Sequence, residues 1–208
     1  EFVCILDDDT FPGERFFENC VNHMKQRPAL YGARGLRFKN TKRYHPYESF
    51  GWDSPNECAE IVDIIGHAWF FKREWLSLFW RDLPEIGSSK FVGEDMHFSH
   101  MLQKYGSIPS IVPPHPIDDT SVWGSNPEIA LKLGMQEMAI SGQPGAFEKF
   151  DVALRNNTSK GFKLCRELGK SSEKVIFGPA LSRNATLRSM ALRNKSIENF
   201  ARYIKKRL

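Results

Sequence analysis

Asp7, Asp8 and Asp9 stand consecutively, directly after the apolar run at residues 2–6. The run predicts a strand buried on both faces, with polar groups at its carboxyl end, where open α/β sheets bind ligands. Asp7 and Asp9 are two residues apart on an extended segment, so their side chains point to the same side. Carboxylate oxygens suit a hard divalent cation, Mg²⁺ or Mn²⁺. The alternative is a solvated acidic turn that caps the following helix.

A second acidic pair, Glu94 and Asp95, also stands where an apolar stretch ends and a helix is predicted to begin. Apolar residues recur at helical spacing after this pair, and Gly106 is placed to end the helix. The helix dipole stabilises ionised carboxylates at this end, which makes Asp95 a candidate general base with Glu94 as its partner. The alternative is an ordinary acidic first turn.

Strands and helices alternate around these two acidic groups. The pattern predicts an α/β fold, with a mostly parallel (mixed) sheet flanked by helices and a helical, basic C-terminal segment. A long functional loop is predicted at residues 39–60, because the segment is polar and aromatic and contains Pro46, Gly51 and Pro55. The remaining predicted elements are strands at 31–38, 60–71 and 110–112 and helices at 14–25, 72–80, 128–140, 162–168 and 187–208.

The charge of the chain is divided unevenly. Of 208 residues, 41 % are hydrophobic and 26 % are charged, which excludes a largely disordered chain. Residues 1–150 hold 15 Lys+Arg against 21 Asp+Glu, whereas residues 151–208 hold 14 against 4. We therefore expect a boundary near residue 150, with a basic, mainly helical extension at 151–208.

The sequence also bears on the cellular compartment. The longest apolar stretches fall well short of the roughly 20 residues that cross a bilayer. The four cysteines are far apart and form no CxxC pair, which favours free thiols in a reducing compartment. We therefore expect a cytoplasmic protein, with a peripheral membrane association as an open alternative because the C-terminal extension is basic.

Three motifs in order resemble the catalytic half of a GT-A glycosyltransferase of the family 2 type. They are the Asp7–Asp9 run after its strand, the segment from Val62 to Glu74, and Gly93-Glu94-Asp95-Met96 with its helix. The resemblance covers roughly residues 1–115. It implies a nucleotide-sugar donor, a divalent metal held by the first acidic motif, and a carboxylate that deprotonates the acceptor hydroxyl.

On this resemblance, each candidate residue receives a role. Asp9 and Asp7 would hold Mn²⁺ or Mg²⁺, and Asp95 would be the base with Glu94 behind it. His115, between prolines on a loop, matches a late metal ligand of many such enzymes; the alternative is an ordinary loop histidine. The residues assigned to substrate are Asp7, Asp8, Arg34, Gly66, His67 and Trp69.

Several of these assignments have structural alternatives. Arg34 could contact the diphosphate or be a surface charge on a strand. His67 has small neighbours that leave room for a ligand, but a core histidine is equally compatible with the sequence. Trp52 and Trp69 could stack on sugar faces or belong to the core. The segment Lys42-Arg43-Tyr44-His45 could serve an acceptor or be a solvated turn.

The expected partners follow from the same resemblance. They are a nucleotide-sugar donor and a glycan or lipid-linked acceptor, and no nucleic acid, because no nucleic-acid-binding signature is present. In the family, strands that bind the nucleotide precede the first acidic motif, so we expect a further N-terminal part, or another chain, to complete the sheet. Two other interpretations stay open: a noncatalytic acidic metal-binding module with a basic docking tail, and a metal-assisted phosphohydrolase.

Overall fold

The computed structural model describes residues 1–52, 54–82, 93–126, 128–129, 132, 140–170 and 174–175. The strands are β1 Phe2–Ile5, β2 Leu30–Tyr31, β3 Arg34–Phe38, β4 Tyr47–Gly51, β5 Ala59–Val62, β6 Ile64–His67, β7 Trp69–Lys72, β8 Ser110–Val112 and β9 Lys174–Val175. The helices are α1 Phe16–Gln26, α2 Leu76–Phe79, α3 Glu94–Gly106 and α4 Ala146–Ser159, with 3₁₀ turns at Arg73–Trp75, Thr120–Val122 and Ile140–Gly142.

The described strands form two sheets. The main sheet has the order β1-β7-β2-β8-β5-β9, and a smaller sheet has the order β4-β3-β6. The mixed α/β class is confirmed. The expectation of a mostly parallel sheet is wrong, because β2 and β8 form the one parallel pair among the described strands and the other pairs are antiparallel.

Connection lengths explain this topology. A parallel pair needs a crossover of a dozen or more residues, usually through a helix. The chain from β3 to β7 contains no described helix, and its strands follow one another through short connections such as Asp63 and Ala68. The β3–β4 connection reverses the chain and makes an antiparallel pair, whereas Asp63 and Ala68 pass the chain from one sheet to the other.

Strand β1 is not buried on both faces as predicted. Phe2 is 40 % and Ile5 45 % exposed, and Val3 and Cys4 are partly buried. The reason is position: β1 lies at the edge of the described sheet and pairs only with β7. An apolar run can therefore mark an edge strand as well as a central one.

The predicted loop at 39–60 is also wrong in part, because it contains β4. Residues Tyr47–Gly51 pair with β3 over its full length, from Phe38 opposite Tyr47 to Arg34 opposite Gly51. The cross-strand pairing overrides a composition that resembles a loop.

Two of the predicted helices are confirmed as α1 and α3. Phe16, Cys20 and Met24 form the buried face of α1, and α3 buries a run that begins at Met96. The short helix after β7 and the strand at 110–112 are confirmed as well. The predicted helix at 128–140 lies mostly outside the described residues.

The predicted domain boundary after residue 150 falls inside α4. The first compact unit runs from Glu1 to Val175, because Leu154, Phe162 and Leu164 belong to a core cluster with residues of the smaller sheet. Residues 165–169 form a hydrogen-bonded turn, so the helix predicted at 162–168 is wrong. The helix predicted at 187–208 lies outside the described residues.

Two further findings concern the covalent state and the hydropathy of the chain. All four cysteines are free thiols. None of the helices in the described part of the chain combines the length and the hydropathy that a bilayer crossing takes.

Candidate functional site

The pairing of β1 with β7 places the first acidic motif beside His67. Ile5 lies opposite Trp69 in this antiparallel pair, and extending the register by two residues sets Asp7 opposite His67. Accordingly, His67 Nδ1 lies 3.1 Å from Asp7 Oδ2 and 3.8 Å from Asp9 Oδ1. Two carboxylates therefore converge on one imidazole.

A tight turn gives the acidic motif its shape. The Thr10 backbone N–H donates to the carbonyl oxygen of Asp7 (3.1 Å), and the Phe11 N–H donates to Ser125 Oγ (3.0 Å). The side chain of Asp7 is 49 % exposed and that of Asp9 is 23 % exposed, while Asp8 is exposed. The turn therefore leaves all three carboxyl groups at least partly open to solvent.

The second acidic motif reaches the same place through α3, which begins at Glu94 and packs against β6. A Cβ atom built on Gly66 would lie 3.9 Å from Asp95 Oδ2. Gly66 precedes His67, so the Asp95 carboxylate faces the backbone beside the histidine that contacts Asp7. Asp7, Asp9, Gly66, His67 and Asp95 are thus brought together as one group.

The surroundings of Asp95 disfavour its charge. Burial raises the pKa of the Asp95 carboxyl to about 7, and the charges of Glu94 and then Asp7 add to the rise. The Met96 N–H, which donates to Asp95 Oδ1 at 2.6 Å, acts in the opposite direction. Asp95 therefore exchanges a proton near neutral pH, which is the property that a general base needs.

Arg34 belongs to the site through Trp52. On the smaller sheet Arg34 pairs with Gly51 of β4 and with His67 of β6. Its guanidinium carbon lies 4.4 Å from the centre of the Trp52 ring, and the Trp52 and His67 rings are 4.8 Å apart. Arg34, Trp52 and His67 therefore form a continuous stack that ends at Asp7.

Trp52 occupies this position with a φ of +50°. Non-glycine residues seldom adopt this left-handed conformation, and it persists where surrounding contacts hold it. The buried Trp52 ring contacts the Arg34 guanidinium and the His67 imidazole. The strained backbone directs its indole into the stack.

His115 does not fit the predicted role of a metal ligand. It is fully buried, its Nδ1–H donates to the Pro113 carbonyl (2.8 Å), and its Nε2 accepts from the Gly124 N–H (2.8 Å). Burial lowers its pKa to about 4. Because neither nitrogen keeps a lone pair for a cation, His115 is a hydrogen-bonded core residue.

Trp69 also differs from its prediction as a substrate-stacking residue. Its indole N–H donates to the Ile65 carbonyl (2.9 Å), and its ring packs 5.3 Å from that of Phe98 on α3. The left-handed backbone of Ala68, with a φ of +56°, breaks the strand alternation between His67 and Trp69. Trp69 therefore makes the contacts of a core residue and is left out of the candidate site.

Two features of this region were not predicted from the sequence. The link between Arg34 and His67 through Trp52 was missed, although a Gly-Trp pair after an alternating strand marks an unusual backbone. Helix α4 was missed as a neighbour of Asp95, although Phe147, Phe150 and Leu154 have helical spacing.

The donor set suits a hard divalent cation. Asp7 Oδ2 and Asp9 Oδ1 lie 3.1 Å and 3.8 Å from His67 Nδ1, so the two carboxylates are close neighbours. Among the described residues, no three His, Cys, Asp or Glu side chains are grouped as a complete metal site. Mg²⁺ is usually bound through one or two carboxylates plus substrate phosphates and water, and two carboxylates fit that pattern.

The chain matches no protein-family model and no curated protein. The functional conclusion therefore rests on the side chains of Asp7, Asp9, His67 and Asp95 and on the Arg34–Trp52 stack beside them.

Proposed function

We propose that the protein is a metal-dependent glycosyltransferase, which moves a sugar from a nucleotide-sugar donor to an acceptor hydroxyl with inversion. The observation that carries the proposal is Asp95, a carboxylate with a pKa of about 7 that is grouped with the converging Asp7 and Asp9. This group combines a base that works at neutral pH with ligands for a cation. The order of the motifs in the sequence supports the same conclusion.

Asp7 and Asp9 would hold Mn²⁺ or Mg²⁺. When bound, the cation would neutralise the negative charge that develops on the departing diphosphate. Arg34 supplies a fixed positive charge on the same side, because Trp52 and the Ser49 hydroxyl (3.4 Å from Arg34 Nε) hold its guanidinium. We assign the diphosphate to the space between these groups.

Asp95 activates the acceptor. Its carboxylate takes the proton of the acceptor hydroxyl while that oxygen bonds to the anomeric carbon of the donor. The bond between the anomeric carbon and the diphosphate oxygen breaks in the same displacement, so the configuration inverts. Glu94 raises the basicity of Asp95 through its charge.

The noncatalytic alternative is less well supported. A metal-binding module has no need of a carboxyl group whose pKa lies near neutrality, whereas strongly shifted groups cluster at catalytic sites. The phosphohydrolase alternative would consume the sugar nucleotide with water alone. Transfer and hydrolysis are distinguished by whether sugar appears on an acceptor or free in solution.

The first test is cation and diphosphate binding by the D9N variant. Manganese and inorganic pyrophosphate are suitable probes, because the proposal assigns Asp9 to the cation and the cation to the diphosphate. Isothermal titration calorimetry should show Mn²⁺ affinity in the presence of pyrophosphate at least about tenfold weaker in D9N, since one hard ligand is lost.

The matched control is D118N, which removes the same charge at an exposed position outside the site. Its affinity for Mn²⁺ and pyrophosphate should equal that of the parent protein. Equal affinities in D9N and the parent would refute the assignment of the cation to the first acidic motif.

A further inference from the structure

Five aromatic rings form a cluster on one side of the molecule, here called the aromatic platform: Tyr44, His45, Tyr47, Phe147 and Phe150. Three rings come from the β3–β4 connection and the start of β4, and two from α4. The His45 ring lies 4.3 Å from that of Tyr47 and 4.9 Å from that of Phe147, and Tyr44 stacks on Phe150 at 4.9 Å.

Hydrogen bonds fix the platform as one unit. The Tyr44 backbone N–H donates to Asp151 Oδ1 at 2.6 Å, and Arg155 Nη1 donates to the Lys42 carbonyl at 3.0 Å. Both hydrogen bonds join the loop before β4 to helix α4. The two chain segments therefore present their rings in a defined arrangement, without an ordering cost when a ligand binds.

The platform adjoins the proposed base. Tyr44 and Tyr47 pack against the core cluster that contains Met96, the residue after Asp95. Helix α4 lies against the start of α3, because a Cβ atom on Gly93 would be 2.8 Å from that of Ala153. Burial raises the pKa of Tyr44, and the negative charge of Asp95 raises it further.

Part of this aromatic surface is open to solvent. Phe147 is 44 % exposed, His45 is exposed and Tyr47 is half-buried. Three neighbouring rings at the surface forgo the free energy that burial would provide, and an exposed apolar patch of this kind marks a binding surface.

We propose that the aromatic platform binds the acceptor and that the acceptor is a carbohydrate chain. This inference rests on the proposed function, since it assigns the acceptor side of the same site. Sugar rings have apolar C–H faces and a rim of hydroxyl groups. The rings of His45 and Tyr47, which reach solvent, offer the complement, an apolar face with a polar atom at the edge.

A lipid chain suits this surface less well. Acyl chains are apolar along their whole length, and two of the three rings that reach solvent, those of His45 and Tyr47, carry a polar atom that a lipid would leave without a partner. Lys42 and Arg43, both exposed, flank the platform and add further polar groups at its rim. A hydrated, ring-shaped ligand matches this combination.

The test is oligosaccharide binding by the parent protein and by the F147A and H45A variants. Saturation-transfer NMR against cellohexaose, maltohexaose, chitohexaose and a hyaluronan hexasaccharide should identify at least one ligand of the parent. Both variants should bind it about tenfold more weakly, because each loses one stacking face. Both substituted side chains are exposed, and matching thermal melts would show that the fold is retained.

F17A is the matched control, because Phe17 is 42 % exposed on α1 and outside the platform. Its oligosaccharide affinity should equal that of the parent. The proposal is overturned if the parent binds none of the four sugars, or if F147A and H45A bind them as the parent does. It is also overturned if these variants instead lose binding to phosphatidylcholine/phosphatidylglycerol vesicles.

The outcome separates this inference from the proposed function. F147A should keep the parent affinity for Mn²⁺ and pyrophosphate, and D9N should keep the parent affinity for the oligosaccharide. If D9N binds Mn²⁺ and pyrophosphate as the parent does, while F147A and H45A bind the oligosaccharide more weakly, only the assignment of the cation to Asp9 is refuted. If F147A binds the oligosaccharide as the parent does, while D9N binds Mn²⁺ more weakly, only the assignment of the acceptor to the aromatic platform is refuted.

Discussion

The carboxyl group of Asp95 owes its raised pKa to three surroundings that act in the same direction. Burial withdraws water from the charged form, and the charges of Glu94 and Asp7 repel it. In the folded protein the pKa lies above that of the unfolded chain. Ionisation of Asp95 therefore costs stability, and this cost appears as pH rises toward 7.

The pH dependence of the transfer rate should report the ionisation of Asp95. On the proposed mechanism kcat/KM rises as pH increases through about 7, because only the ionised carboxylate accepts a proton. D95N keeps the size of the side chain but lacks the base, and should transfer sugar about 10² to 10⁴-fold more slowly. Stopped assays across pH 5 to 9, with a saturating donor, measure both effects.

Glu94 provides the control for this assignment. E94Q removes the second contribution to the raised pKa of Asp95, so the acid limb of the profile should move to lower pH. A purely structural role of Glu94 would lower the rate without moving the limb. A full rate in D95N would show that another group is the base.

At the scale of elements, the approach of α3 to α4 depends on a glycine. Gly93 precedes α3 with a φ of +100°, a conformation that side chains disfavour. In addition, a Cβ atom there would lie 2.8 Å from that of Ala153 on α4. Glycine thus permits both the backbone turn that starts α3 and the close contact that brings α4 to the site.

Two alanine substitutions separate these requirements. Gly161 has a φ of +105° with nothing within 4 Å of a built Cβ, so G161A should cost only the backbone strain, about 1 kcal/mol. G93A should cost more, by about 1–3 kcal/mol, because it also overpacks the α3–α4 contact. The free energies of unfolding in urea give both values.

The double variant G93A/A153G identifies the steric part. It removes the methyl group that the new Cβ atom would meet, so it should recover part of the loss seen in G93A. Equal losses in G93A and G161A would mean that the contact with Ala153 contributes nothing.

In the molecule as a whole, Asp63 joins the segment after α4 to the smaller sheet. It is 4 % exposed, and its two carboxylate oxygens accept from the Phe38 N–H and the Cys165 N–H, each at 2.6 Å. Burial raises its pKa, and these hydrogen bonds act against the rise. The first compact unit extends past the predicted boundary because the segment after α4 is fastened here.

D63A should therefore destabilise the whole unit. It leaves two buried N–H donors without a partner, which costs about 3 kcal/mol. D118A, at an exposed position, should change the free energy of unfolding by no more than about 0.5 kcal/mol. Urea denaturation compares the two variants.

A second readout locates the effect. Cys165 is 4 % exposed, and site-resolved thiol labelling by mass spectrometry should show it reacting faster in D63A than in the parent. Unaltered stability together with an unaltered labelling rate at Cys165 would mean that Asp63 does not hold this segment.

The local elements and the residue types at their ends were predictable from the order of the amino acids. The spacing of apolar residues predicted α1 and α3, and the two acidic motifs were recognised at the ends of strands or the start of a helix. These features depend on residues within a few positions of one another, so the periodic pattern contains them. The mixed α/β class followed from their alternation.

The tertiary structure alone decided which of those groups meet. The pairing of β1 with β7 brought Asp7 to 3.1 Å from His67, and three strands of the smaller sheet assembled the stack through Trp52. The tertiary structure also buries His115 in the core, where both ring nitrogens are hydrogen-bonded. Strand register, burial and hydrogen bonding between distant segments depend on contacts that no local pattern in a single sequence encodes.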